Sequence, residues 1–166
     1  MNSAIDPGRR RLLRGQWLPS QSVFRPPWAE REAVFTELCS RCDDCIGVCP
    51  EKLLVRGSGG FPEADFRRGR CSFCGLCVQA CKTGALRPLG ETRGWAWTHR
   101  PGFGSGCLAV QGTVCRTCGD VCDSGAIAFR LARGGRSYPE LDQSRCNGCG
   151  ACVGLCPVGA VSLQQL

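Results

Sequence analysis

The 166-residue chain is short of the side chains that usually build a protein core. Leu, Val, Ile and Phe supply only 36 of the 166 residues. That share, about 22%, is close to the level below which a chain cannot bury enough apolar surface to fold unaided. No run approaches the roughly eighteen consecutive apolar residues of a membrane span, so no membrane insertion is expected. The basic N-terminus runs into no apolar segment of the kind a secretory signal needs, which argues against a secreted, disulfide-stapled scaffold. His99 is the only histidine, and Lys52 and Lys82 are the only lysines against nineteen arginines. The chain carries no phosphate-binding glycine loop, no flavin signature and no grouped acid, base and nucleophile. It is therefore expected not to be an enzyme in its own right.

Cysteine is abundant instead, with sixteen residues in four runs of four. The most regular is Cys146, Cys149, Cys152 and Cys156 followed by Pro157, spaced C-x2-C-x2-C-x3-C-P. This is the spacing by which bacterial ferredoxins hold cubane [4Fe-4S] clusters. Three thiolates at such intervals converge only if the backbone curls tightly, and Gly148 and Gly150 permit that curl. The fourth thiolate of such a run usually serves a neighbouring cluster, so one run predicts another. Cys39, Cys42, Cys45 and Cys49 with Pro50 repeat it in full, and Cys71, Cys74, Cys77 and Cys81 repeat it with Lys82 in place of proline. Cys107, Cys115, Cys118 and Cys122 form a stretched version, with seven residues in the first gap and Asp123 after the last cysteine. Structural zinc favours paired C-x2-C knuckles, and three cysteines at successive x2 gaps give one ligand too many for each knuckle. Four [4Fe-4S] clusters with all sixteen cysteines as iron ligands are expected, and His99 is left as a packing residue.

The clusters also change the meaning of the charge. The formal net charge is +7. Each oxidised cubane with four thiolates carries about −2, so four clusters bring the loaded protein to roughly −1. The arginines are then counter-charges to thiolates and carboxylates, and no nucleic-acid partner is expected.

Residues 1–27 form a basic arm whose run Arg9-Arg10-Arg11-Leu12-Leu13-Arg14 resembles a twin-arginine export motif, but the following residues are polar and broken. These six residues read either as a solvated tail or as a docking element that orders on a partner. A helix is expected from Pro27 to Leu38, with Val34 and Leu38 on one face. Strand, glycine turn and returning strand follow over 52–66, and the same pattern recurs over 126–142. Phe61-Pro62-Glu63-Ala64-Asp65 and Tyr138-Pro139-Glu140-Leu141-Asp142 precede a cysteine run in each half. The repeat implies a duplicated unit. The expected fold is α+β: two tandem bacterial-type 2[4Fe-4S] ferredoxin modules of short β-hairpins and short helices, at 28–90 and 107–166, joined by a bridge at 91–106. Trp95 and Trp97 in the bridge are expected to pack against the modules.

If each half is one module, its runs exchange their fourth cysteines. The sets are then Cys39, Cys42, Cys45 and Cys81; Cys71, Cys74, Cys77 and Cys49; Cys107, Cys115, Cys118 and Cys156; and Cys146, Cys149, Cys152 and Cys122. Pairing outer run with outer and inner with inner is the alternative.

Several of these stretches together resemble one family, the NapF ferredoxin-type accessory proteins of periplasmic nitrate reductase. They are the arginine arm with Gly15 and Trp17, Arg25-Pro26-Pro27-Trp28, Arg41-Cys42-Asp43-Asp44-Cys45, Arg56-Gly57 with Gly59-Gly60, Cys71-Ser72-Phe73-Cys74, the stretched run from Cys107-Leu108-Ala109 to Cys115-Arg116-Thr117-Cys118, and the last run through Pro157. The stretched third run is the most discriminating of them. The resemblance implies a cytoplasmic iron–sulfur protein that contacts the molybdenum-containing catalytic subunit before export and assists its maturation. A carrier on the route from quinol to nitrate reductase is the alternative it leaves.

Overall fold

The computed structural model of the chain describes residues 23–87 and 97–164. Arg9, Arg10, Arg11, Leu12, Leu13, Arg14 and Trp95 lie outside the described residues.

The first module starts with an extended approach, because each residue before a proline in Arg25-Pro26-Pro27 is steered out of the helical region. The Ala64 N–H donates to the Phe24 carbonyl at 2.7 Å, which seats this approach beside a strand. Trp28 then takes a positive φ of 61°. Ala29 forms an isolated antiparallel bridge with Leu86. Around it, the Glu30 N–H donates to Ala85 O at 3.0 Å and the Arg87 N–H to Trp28 O at 2.9 Å. These bonds occupy the backbone groups that a helix starting at Pro27 would need, so helix α1 spans only Glu32–Leu38. Its buried residue is Phe35, whereas Val34 is exposed. Arg25 holds the start of α1 through a 2.6 Å ion pair with Glu32 and places its guanidinium over the Phe35 and Phe61 rings.

Helix α2 (Asp44–Gly47), strand β1 (Leu54–Arg56), strand β2 (Pro62–Ala64) and helix α3 (Leu76–Ala80) complete the module. β1 and β2 pair antiparallel with Leu54 opposite Ala64 and Arg56 opposite Pro62. The second module has β3 (Arg100–Phe103), α4 (Thr117–Asp120), β4 (Ile127–Leu131), β5 (Ser137–Leu141), α5 (Ala151–Gly154) and β6 (Val161–Gln164). β4 pairs with β5, and β3 with β6, both antiparallel. In each unit a central hairpin sits between chain ends that meet, through Ala29 and Leu86 in the first and β3 and β6 in the second. The repeated Aromatic-Pro-Glu-x-Asp acts at the hairpin exit. Asp65 Oδ1 accepts the Arg67 N–H at 3.1 Å and Asp142 Oδ1 the Ser144 N–H at 3.0 Å, turns that aim the chain at Cys71 and Cys146.

One stretch differs from expectation. Arg100–Phe103, read as bridge, is a strand, because the C-terminal strand would otherwise present an unpaired edge. The insertion in the third run closes on itself, with the Gln111 N–H on Cys107 O and the Thr113 N–H on Leu108 O. It is pinned to the hairpin by the Ser137 N–H, which donates to the carbonyl of buried Ala109 at 3.1 Å. Among the described residues, no helix is long and apolar enough to cross a membrane.

Candidate metal centres

The curl around three of the four cysteine runs is a backbone conformation, and it is present where glycine is not; in the stretched run the matching Arg116 has φ −131° instead. In the last run Gly148 and Gly150 have φ of 75° and 76°. At the matching places in the first run stand Arg41 and Asp43, at 59° and 65°, and in the second run Phe73 and Gly75, at 56° and 77°. A left-handed non-glycine residue costs about 1–2 kcal/mol, so the first run holds two such residues against their preference. A bound group that four thiolates grip would offset that cost.

The thiols gather around shared cavities in the first module. Cys39, Cys42, Cys45 and Cys81 line one cavity, closed by Phe35, Ala85 and Leu86. Cys49, Cys71, Cys74 and Cys77 line another, with Trp28, Leu53 and Leu54. In the second module Cys118 is near enough to Cys107, Cys115 and Cys156 to feel their charge, and Cys152 is near enough to Cys149, Cys118, Cys146 and Cys122. Burial first, and then the charge of these neighbours, pushes Cys45, Cys77 and Cys152 up to about 12 and Cys118 up to about 11. Four thiols that oppose each other's ionisation around a shared cavity suit a cationic core that deprotonates them all. Three cysteines of one run and the closing cysteine of its neighbour around one cavity match the ligand type and number of a cubane.

Donors to sulfur come from places the cysteine spacing does not advertise. The Ala126 N–H reaches Cys122 Sγ at 3.3 Å and the Ala160 N–H reaches Cys156 Sγ at 3.2 Å. At Cys81, burial raises the thiol, but the N–H groups of Leu86, Thr83 and Ala85 and the Thr83 hydroxyl outweigh it and lower it overall. Ser124 and Thr117 hydroxyls lie 3.4 Å and 3.7 Å from the sulfurs of Cys122 and Cys115. The signal was present in the sequence as an alanine four residues after three of the four closing cysteines: Ala85, Ala126 and Ala160. Lys82 and Asp123, which replace the usual proline, serve ion pairs instead, Lys82 with Asp44 at 3.5 Å and Asp123 with Arg70 at 2.9 Å.

The Arg70–Asp123 pair belongs to a joint between the modules. The Cys71 N–H donates to Cys149 O at 2.9 Å. The Phe66 ring lies where a Cβ on Gly150 would sit, and its carbonyl would be 2.8 Å from a Cβ on Gly154. His99, 2% exposed, stands among Phe24, Phe66 and Trp97, with Nε2 2.8 Å from the Gly148 carbonyl, so Nε2 carries the proton. Burial pushes His99 down to about 4, and the nearby Arg100 acts the same way against the bond to Gly148. The unfolded ring titrates near 6.5. Its contribution to stability is therefore complete above that pH and is lost as pH falls toward 4. Between about pH 7 and pH 5 the folded protein should lose roughly 2 kcal/mol from this group. Denaturant unfolding of the wild type and His99→Gln at both pH values tests this: the wild type must show the steeper loss, and parallel slopes would contradict it.

A family model described as a 4Fe-4S dicluster domain matches residues 38–85 and again 113–160. The chain is 43% identical over 162 residues to the ferredoxin-type protein NapF of Escherichia coli strain K12, covering 98% of this chain and 97% of that one. It is 39% identical to the ferredoxin-type protein NapF of Haemophilus influenzae, over 95% and 94% of the two chains. The methylamine utilization ferredoxin-type protein MauM of Methylobacillus flagellatus is 31% identical over 93% of this chain and 73% of its own. Two dicluster domains and sixteen cysteines give four [4Fe-4S] clusters, and the tandem modules follow from the same duplication. With this cysteine framework and whole-length similarity, the chain belongs to the NapF family of ferredoxin-type iron–sulfur proteins.

Proposed function

We propose that the chain is a cytoplasmic accessory protein that binds the molybdenum-containing catalytic subunit of periplasmic nitrate reductase before export and assists its maturation, by supplying electrons or clusters. Similarity to NapF proteins over nearly the whole length, arm included, is the observation that carries this reading. It acts without a catalytic site of its own. A cluster supplies one-electron chemistry when bound. The chain's part is to hold it, shield it and present it. Arg9, Arg10, Arg11, Leu12, Leu13 and Arg14 are the docking element in this reading, since a maturation factor needs a specific contact that a transient carrier does not. Loss of residues 1–24 should abolish co-purification with the catalytic subunit and leave the iron content unchanged; undiminished binding would remove the arm from the role.

The four ligand sets are those of exchanged fourth cysteines, supported by the two cavities and by the proximity of thiols in the second module. Cys115→Ala should leave three clusters by iron and sulfide analysis, and four would show that the stretched run is wrongly assigned. The arm at 1–27, the modules at 28–90 and 107–166 and the segment between them are the working division of the chain, with β3 of that segment joined to the second module.

Cys42 and Cys74 are exposed, which favours a second reading: an electron carrier between quinol and the reductase. A strain lacking this protein separates the two. Its nitrate reductase activity is assayed with a viologen dye that reduces the catalytic subunit directly and with quinol. Loss of both activities supports maturation, and loss of the quinol activity alone supports the carrier.

A further inference from the structure

Strand β6 is paired on one side. The Gly104 N–H donates to the Ala160 carbonyl at 2.8 Å, and Gly102 stands opposite Ser162. Bonded and non-bonded pairs alternate along an antiparallel ladder, so Val161 and Leu163, opposite Phe103 and Pro101, aim their N–H and carbonyl groups away from β3. Among the described residues these groups have no backbone hydrogen-bond partner. Val161 is only 7% exposed, and the backbone groups of residues so buried are ordinarily paired. A groove of about 840 Å³ runs between the modules, and Val161, Ser162 and Leu163 all line it. Neighbouring side chains of a strand point to opposite faces, so three residues in a row on one groove are what the edge of a strand presents. Phe66 and Val153 line the same groove, and so do Val23 and Phe24. The Phe24 carbonyl already accepts the Ala64 N–H, as an edge residue added to β2 does. Residues 1–22 therefore lead into the described structure at the wall of this groove.

We propose that residues 16–22, Gln16-Trp17-Leu18-Pro19-Ser20-Gln21-Ser22, occupy the groove as a strand added to β6, so that the N-terminal segment bridges the two modules. Seven extended residues span about 23 Å, which exceeds the length of the four-residue β6. Trp17 and Leu18 bring apolar surface to apolar walls, and Pro19, which has no N–H to give, is of the kind found on added edges. Main-chain bonds to the free edge supply the attraction, as in other cases of strand addition. A segment tethered at Val23 is present at an effective concentration on the order of millimolar, so an external strand would have to displace it. The run Arg9 to Arg14 then leaves the protein beside the joint. That placement serves the docking reading given above, while occupancy of the groove does not depend on it.

Hydrogen exchange on the full-length, four-cluster protein, resolved to single amides, tests this within one strand. The Val161 and Leu163 N–H groups should be protected to the degree of Ser162 and Gln164, which face β3. Trp17→Ser combined with Leu18→Ser leaves every described residue in place. It should speed exchange at Val161 and Leu163 by about tenfold or more and leave Ser162 and Gln164 unchanged. Fast exchange at Val161 and Leu163 in the wild type overturns the proposal, as does protection that the double variant retains. An equal rise at all four amides overturns it too, because it reports a loosened strand and not an uncovered edge. Protection that grows with protein concentration would assign the edge to a second copy, and protection that needs the catalytic subunit would assign it to a segment of that partner; either result removes residues 16–22 from the groove. If the double variant does not load four clusters, chymotrypsin cleavage after Trp17 in the wild type decides. Cleavage much slower than in the urea-unfolded chain is expected, and equal rates overturn the proposal.

Discussion

Stripped of iron and returned to neutral pH, the protein loses most of its far-ultraviolet circular dichroism and its cooperative thermal transition, and the second module is lost first. The buried cluster of that module consists of Cys118, Ile127, Cys152 and Val161, so half of its members are thiols. The buried cluster of the first module also has Phe35, Leu53, Leu54, Phe66 and Leu86, with Trp97 of the bridge packed into it. Where ligands stand in for core residues, binding free energy is folding free energy, about 10–16 kcal/mol for a structural metal in a comparable small domain. Hydrogen exchange on partly depleted protein should therefore show β4, β5 and β6 exchanging before β1 and β2. A metal-free protein that melts cooperatively with native dichroism would contradict the idea that clusters replace the core. Reloading must release protons from thiols held at about 12, so it should proceed more readily as pH rises.

Phe66→Ala should destabilise the loaded protein by about 3–5 kcal/mol, the usual cost of emptying a buried aromatic site. Phe66 is 4% exposed and touches Phe24, Trp97 and His99, while its ring and carbonyl abut Gly150 and Gly154 of the other module. It is a side chain that both modules share as a wall. The variant should therefore unfold in two separate denaturant transitions where the wild type shows one. A single transition with a loss under about 1 kcal/mol would mean that the joint is held elsewhere.

The parts of this molecule that were legible in the sequence are those set by chemistry at fixed spacing. Sixteen cysteines in four runs, glycines at the curl of the last run and the repeated Aromatic-Pro-Glu-x-Asp turn all say what they do without tertiary context. What was not legible depends on partners distant in the chain. Helix α1 starts late because Leu86 claims Ala29, and Arg100–Phe103 is a strand because Val161–Gln164 needs one. Phe73 and Arg41 sit in the left-handed region with no local hint, since the curl is imposed on them by the cysteines on either side. The joint is a surface between duplicated units, and a repeat within the chain says nothing of how its copies face each other.

The position of the joint also bears on how the chain is made. The first module is closed by the Ala29–Leu86 bridge as soon as residue 87 has been synthesised. The glycines that cover Phe66 arrive only at 150 and 154. During synthesis a finished first half thus waits with an apolar face uncovered, and a truncated chain ending between the modules would present that face to whatever binds nascent apolar surface.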